Sequence, residues 1–163
     1  MNEILVTEEG YKQFYEKFED LKNSSLTNAN TLSKAYNDYV GDGWHDNPAY
    51  EEAMRVNRMI DNNIKTMLEQ SKKLKVINDT YDENLVNIND IVKIEFIYSE
   101  DDIENEIIKL TGKFIPNEEL DICEITLNSP IGKAIYKKKI GDICSYDVAN
   151  KKMKIRIIER VKI

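Results

Sequence analysis

Two long stretches of the chain place apolar residues at alternating spacings of three and four. The first seam is Tyr11, Phe14, Phe18, Leu21, Ser25, Asn28, Leu32, Ala35 and Tyr39. That spacing is the a/d seam of a coiled coil, sustained over about four heptads. Its polar members, Ser25 and Asn28, weaken the seam while fixing its register. Thr7 followed by Glu8 and Glu9 marks a helix start, because Thr caps free N–H groups and the carboxylates face the positive end of the helix dipole. The second seam runs through Tyr50, Ala53, Asn57, Ile60, Ile64, Met67, Ser71 and Leu74. It opens on Asn47-Pro48, a cap followed by proline where its missing N–H costs nothing. Two seams joined by a short Gly/Pro turn predict an antiparallel helical hairpin. Arms of about 30 residues extend on the order of 45 Å. Counting outward from the turn puts Tyr39 opposite Tyr50 and Leu32 near Asn57.

The pattern changes near Asn78. Asn78-Asp79-Thr80-Tyr81-Asp82-Glu83-Asn84 is polar and turn-rich, which sets a boundary between a hairpin domain (1–78) and a second domain (79–163). Residues up to Leu5 form a lead-in. Ile91 to Tyr98 alternates and is β-branched, so it reads as a strand, with a return strand over Glu104 to Leu110. A third strand spans Asp121 to Leu127. Asn128-Ser129-Pro130 caps a short helix through Ile131, Ala134 and Ile135, with Lys137-Lys138-Lys139 offsetting its negative end. Strands over Ile143 to Val148 and Met153 to Ile158 complete a small antiparallel sheet with one helix, so the fold class is α+β.

Charge narrows the function. A formal net charge of -7 argues against general affinity for nucleic-acid phosphates. Arg55, Arg58 and Lys65 on the second helix fit a solvated face, with guidance of a nucleic-acid strand the minority alternative. No apolar run approaches the roughly 18–20 residues of a membrane span, and Met1-Asn2-Glu3-Ile4 lacks the basic start of a signal peptide. The expected compartment is the cytoplasm. Cys123 and Cys144 read as a buried, reduced pair. With one histidine in the chain, four Cys/His ligands for a structural zinc cannot be assembled.

The turn between the seams concentrates rare residues. Val40 to Tyr50 holds the only Trp, the only His, one of three prolines and two of six glycines. Asp42 and Asp46 flank Gly43-Trp44-His45. Two carboxylates on a short exposed turn can share a divalent cation through oxygen ligands, weakly unless a partner adds more. Their bland readings are a turn-favouring Asp beside Gly43 and a helix-start acid. His45 reads as a general base or ligand, or more blandly as a solvated residue. Trp44 either folds back on Tyr39 or Tyr50 or contacts a partner.

The order of helical hairpin, acidic turn and small C-terminal sheet resembles the bacterial GreA/GreB transcript cleavage factors. One matching segment runs from Ala35 through Tyr50-Glu51-Glu52-Ala53 to Leu74-Lys75-Val76-Ile77. The family's tip reads Gly-Asp-Leu-x-Glu-Asn-Ala-Glu-Tyr, which Gly41, Asp42, Asn47 and Tyr50 match, with Asp46 in place of Glu. The other is Leu127-Asn128-Ser129-Pro130-Ile131-Gly132-Lys133-Ala134-Ile135 with Lys139-Ile140-Gly141-Asp142.

The resemblance implies a monomer that binds RNA polymerase. A C-terminal domain similar to an FKBP-like fold would dock on the rim of the secondary channel through Ser129, Pro130 and Ile131. The hairpin would enter the channel and meet the nascent RNA 3′ end indirectly. Asp42 and Asp46 would help hold Mg²⁺ and a water beside the polymerase's own metal, with Asn47 and Tyr50 in support. The factor would then stimulate the polymerase's own cleavage of backtracked RNA rather than act as an enzyme alone. Gly43, Trp44 and His45 separate the two acids by one residue more than the family pattern does. That leaves two readings, a lengthened active tip or a channel-entering regulator that modulates without cleavage.

Overall fold

The computed structural model describes residues 3–38, 47–99, 102–117 and 122–162. Asp42, Gly43, Trp44, His45 and Asp46, with Tyr39, lie outside the described residues. The elements, in order, are β1 (Ile4–Val6), α1 (Glu8–Asn37), α2 (Pro48–Ser71), β2 (Leu74–Val76), β3 (Ile91–Ile97), β4 (Ile103–Thr111), β5 (Cys123–Thr126), α3 (Pro130–Ile135), β6 (Ile143–Val148) and β7 (Lys151–Val161). Two compact units emerge. Phe14–Lys73 forms one, and the residues up to Gln13 join those from Leu74 onward in the other.

In the helical unit the seams become the buried stripes. Phe14 and Asn28 on α1, and Ala53, Ile60 and Met67 on α2, are buried, and the intervening seam positions are half-buried. Tyr11, expected in the seam, is exposed and belongs to the sheet unit. The helices run antiparallel in a register about one turn from the expected one. The Tyr36 ring lies beside that of Tyr50, 6.0 Å between centroids, while the expected partner Tyr39 is outside the described residues. Asn57 meets Asn28 rather than Leu32. The buried Asn28 amide decides this, because it must find a partner. Its Nδ2 donates to the Ala53 carbonyl at 3.0 Å, with the Asn57 side chain 3.4 Å away.

The lead-in is a strand. Ile4, Leu5 and Val6 pair in parallel with Leu74, Lys75 and Val76, so β1 and β2 bracket the hairpin in sequence. Leu74 leaves the helix for this pairing. The larger sheet has the order β5-β4-β3-β7-β6. Every neighbouring pair is antiparallel except β4 and β5, where Ile108–Thr111 runs parallel to Cys123–Thr126. Alternation on β3 sends Val92, Ile94 and Phe96 inward against Ile108, Leu110, Ile155 and Ile157. On the other face Glu95 pairs with Arg156 at 3.0 Å.

Two local expectations change. Cys123 is exposed and only Cys144 is buried, so the cysteines do not form a buried pair. Lys137 does not sit along the end of α3. Its φ is +56°, and its ammonium turns to Asp79, the Thr80 carbonyl and Asn87 Oδ1.

The β6–β7 turn is a two-residue loop closed by Val148 and Lys151. Both loop residues, Ala149 and Asn150, have positive φ, 49° and 64°. Asn tolerates that region and Ala does not. Ala149→Gly should therefore raise stability by about 0.5–1 kcal/mol, read as a higher denaturant midpoint at unchanged m.

Candidate functional site

Two places carry the residues singled out from the sequence. The first is the end of the hairpin where α1 stops and α2 starts. Asn47 is 2% exposed and caps α2. Its Oδ1 accepts from the Tyr50 N–H at 3.0 Å, and its Nδ2 donates to the Ala35 carbonyl at 2.9 Å on the other helix. Pro48 follows at the first helical position, and the Glu51 N–H closes the first turn on the Asn47 carbonyl. One amide therefore caps one arm and ties it to the other. Tyr50 is half-buried and packs its ring against Tyr36. The segment between these fixed ends contains Asp42 and Asp46. Asn47→Ala should cost the helical unit about 1–2 kcal/mol, by the loss of a cap and an interhelical tie. Thermal unfolding followed by helical circular dichroism checks this.

On the outer face of α2, Arg55 is engaged by Glu52 through two hydrogen bonds of 2.8 and 2.6 Å. Its charge is matched within its own helix, as a solvated face requires.

The second place is the start of α3. Ser129 is the cap. Its Oγ accepts from the Gly132 N–H at 2.9 Å and donates to the Thr126 carbonyl at 2.8 Å. Its hydroxyl is thus spent on the turn. Pro130 is exposed and Ile131 half-buried against the core, so Pro130 is what this turn offers outward. Asn128, read from the sequence as part of the cap, has another role. Its side chain bonds both backbone groups of Leu5, at 2.9 and 2.8 Å. No local signal could have shown this, because the partner lies 123 residues away.

The same unit holds one buried and one half-buried carboxylate among ammonium groups and N–H donors. The Glu124 side chain is fully buried beside Lys109 at 3.0 Å and Lys113 at 3.7 Å, and it accepts from the Asn117 N–H at 2.8 Å. Asp79 pairs with Lys137 and accepts from the Ile88 N–H and the Tyr136 hydroxyl. Burial pushes both carboxyls up, but the hydrogen bonds and ammonium groups together outweigh it and hold each below its ordinary value. Burial and the Asp79 carboxylate push the Tyr136 hydroxyl up to about 12.

Because both carboxyls take up protons less readily folded than unfolded, their stabilisation is present above the ordinary values of 3.8 and 4.5. It is lost as pH falls through the lower folded values. The thermal midpoint of the protein should therefore drop steeply below about pH 4, and less steeply in Glu124→Gln.

A polar cleft of about 430 Å³ opens beside Asp79, between Thr7, Glu8, Asn87, Thr111 and Lys113. Among the described residues, no group of three His, Cys, Asp or Glu side chains could hold a metal ion. No helix among them is long and apolar enough to cross a membrane.

Residues 82–160 match the family model described as transcription elongation factor, GreA/GreB, C-terminal. The chain is 31% identical over 160 residues to the transcription elongation factor GreA of Thermoanaerobacter pseudethanolicus, covering 96% of each. It is 24% identical over 163 residues to that of Clostridioides difficile, covering 96% of this chain and 95% of the relative. Among solved structures, that of the transcription factor Gfh1 is similar with a TM-score of 0.46 at 18% identity, over 98% of this chain and 99% of that one. That likeness is too loose to argue from.

Proposed function

Because the chain belongs to the GreA/GreB family of transcription elongation factors, we propose that it binds RNA polymerase and stimulates hydrolysis of backtracked RNA. The observation that carries this reading is the end of the hairpin. Helices of 30 and 24 residues run antiparallel and are tied by Asn47, and the segment between them carries Asp42 and Asp46. The Ser129–Ile131 turn docks on the rim of the secondary channel and the hairpin enters it.

Hydrolysis adds the oxygen of water to the phosphorus, breaks the bond to the 3′-oxygen and leaves that oxygen protonated. The chain's part is to bring two carboxylates beside the water. Their oxygens are the hard donors that Mg²⁺ takes, and two of them leave room for ligands from the polymerase. Bound there, the ion supplies charge stabilisation and a more acidic water. Asn47 holds the start of α2 against Ala35, which keeps the ends of the acidic segment at a fixed separation. The chain stimulates the polymerase's own reaction and supplies no complete site.

The experiment adds purified protein to stalled, backtracked RNA polymerase complexes and follows RNA length. Shortened RNA that can be extended again is expected. Binding without shortening would favour the second reading, a non-catalytic regulator in the channel, to which the extra residue between Asp42 and Asp46 points. Failure to bind polymerase would overturn both.

A further inference from the structure

Asn128 immediately precedes the cap of α3, yet its side chain takes no part in capping. Its Oδ1 accepts from the Leu5 N–H and its Nδ2 donates to the Leu5 carbonyl. A single amide thus meets both backbone groups of one residue, as a neighbouring strand would.

What it grips is a weak element. β1 has three residues and, among the described residues, pairs only with β2, also of three, and in parallel. Parallel pairing is the less stable kind, and a two-stranded ribbon is marginal by itself. Leu5 also packs against the core, Val6 is fully buried and Thr7 bonds the Gly112 carbonyl, so the two bonds from Asn128 add to these anchors and fix the Leu5 backbone directly to the residue before Ser129. Only Thr7 separates β1 from α1, and only Lys72 and Lys73 separate α2 from β2. The ribbon is where both arms of the hairpin begin and end in sequence, and Asn128 reaches it from beside Ser129.

We infer that Asn128 is a positioning residue through which a partner held at Ser129–Ile131 also holds the strands that root the hairpin arms. This rests on the proposed docking and cleavage. Asn128 belongs neither to the acidic segment nor to the docking turn, so its loss falls on the rate of the reaction and spares affinity. Asn128→Ala removes both bonds. Asn128→Asp keeps an acceptor for the Leu5 N–H but sets a carboxylate against the Leu5 carbonyl, and it does not rescue.

The test titrates wild-type and Asn128→Ala protein against backtracked RNA polymerase complexes and measures the initial rate of RNA shortening. The maximal rate should fall about tenfold while the half-saturating concentration moves less than about threefold. An unchanged maximal rate, or a loss confined to half-saturation, overturns the inference. Hydrogen exchange on the same variant separates positioning from general damage. The Leu5 amide should exchange faster while Ile94 and Ile155 keep wild-type protection; loss of protection across the sheet overturns the inference. If the wild type binds polymerase but shortens no RNA, the cleavage reading fails and the inference is decided separately. Exchange in the first turns of α1 should then slow on polymerase binding in wild type but not in Asn128→Ala. Equal slowing in both, or a wild type that does not bind, overturns it.

Discussion

Protein in which Asp42 and Asp46 are both alanine should bind RNA polymerase as the wild type does and lose stimulation of RNA shortening by about a hundredfold or more. These are the only two acids in residues 39–46, so the double substitution removes every carboxylate the segment can present. The residues proposed to dock, Ser129 to Ile131, are remote in sequence and belong to the other unit, so affinity should be spared. Each single change to Asn keeps the side-chain shape and removes one charge. If the acids act as cation ligands, raising Mg²⁺ should partly restore the single Asn variants and leave the double Ala variant inactive. Full stimulation by the double Ala variant would sink the role of both acids.

Gly132→Ala should be the most damaging single methyl that can be added to the sheet unit. A Cβ there would lie 2.0 Å from the Thr126 carbonyl oxygen and 2.9 Å from its carbon. That oxygen cannot step aside, because it already accepts from the Ser129 N–H at 3.1 Å and the Ser129 hydroxyl at 2.8 Å. α3 would have to lift, drawing the fully buried Ile135 out of the core. A loss of about 3 kcal/mol or more is expected, a fall in thermal midpoint of more than about 10 °C. Gly141→Ala is the matched control. Gly141 has φ +94° but nothing within 4 Å of its added Cβ, so its cost is backbone strain alone, about 1–2 kcal/mol. Equal effects of the two changes would show that contact with Thr126 is not what requires Gly132.

The hairpin was legible because a seam repeats. Phe14, Phe18, Leu21, Ala53, Ile60 and Met67 each announce the same buried stripe, and one deviant such as Tyr11 does not hide it. Register was less legible, because it depends on how one buried amide, Asn28, finds Ala53. Alternation revealed β3 but could not reveal direction, which is why β5 was expected in an antiparallel sheet and not parallel to β4. β1 escaped because three apolar residues carry no period. In the candidate site, the acids of the turn stood out by composition, and Ser129 and Pro130 by local cap chemistry. Asn128 looks in sequence like any cap residue, and only the folded chain brings Leu5 to it.

The grip of Asn128 on Leu5 also constrains the order in which the molecule can be made. Leu5 is synthesised before its partner, which follows 123 residues later. At about 5–20 residues per second on the ribosome, roughly 6–25 s pass before the two can meet. The hairpin arms need no such wait, since α2 is complete by Ser71 and its contacts with α1 lie within one contiguous stretch. β1 can meet β2 once Val76 has emerged, but the bonds from Asn128 form only after β5 has been made. β1 thus waits on a residue made long after it, and a nascent chain stalled before Asn128 would have a complete helical hairpin and a β1 still without those two bonds.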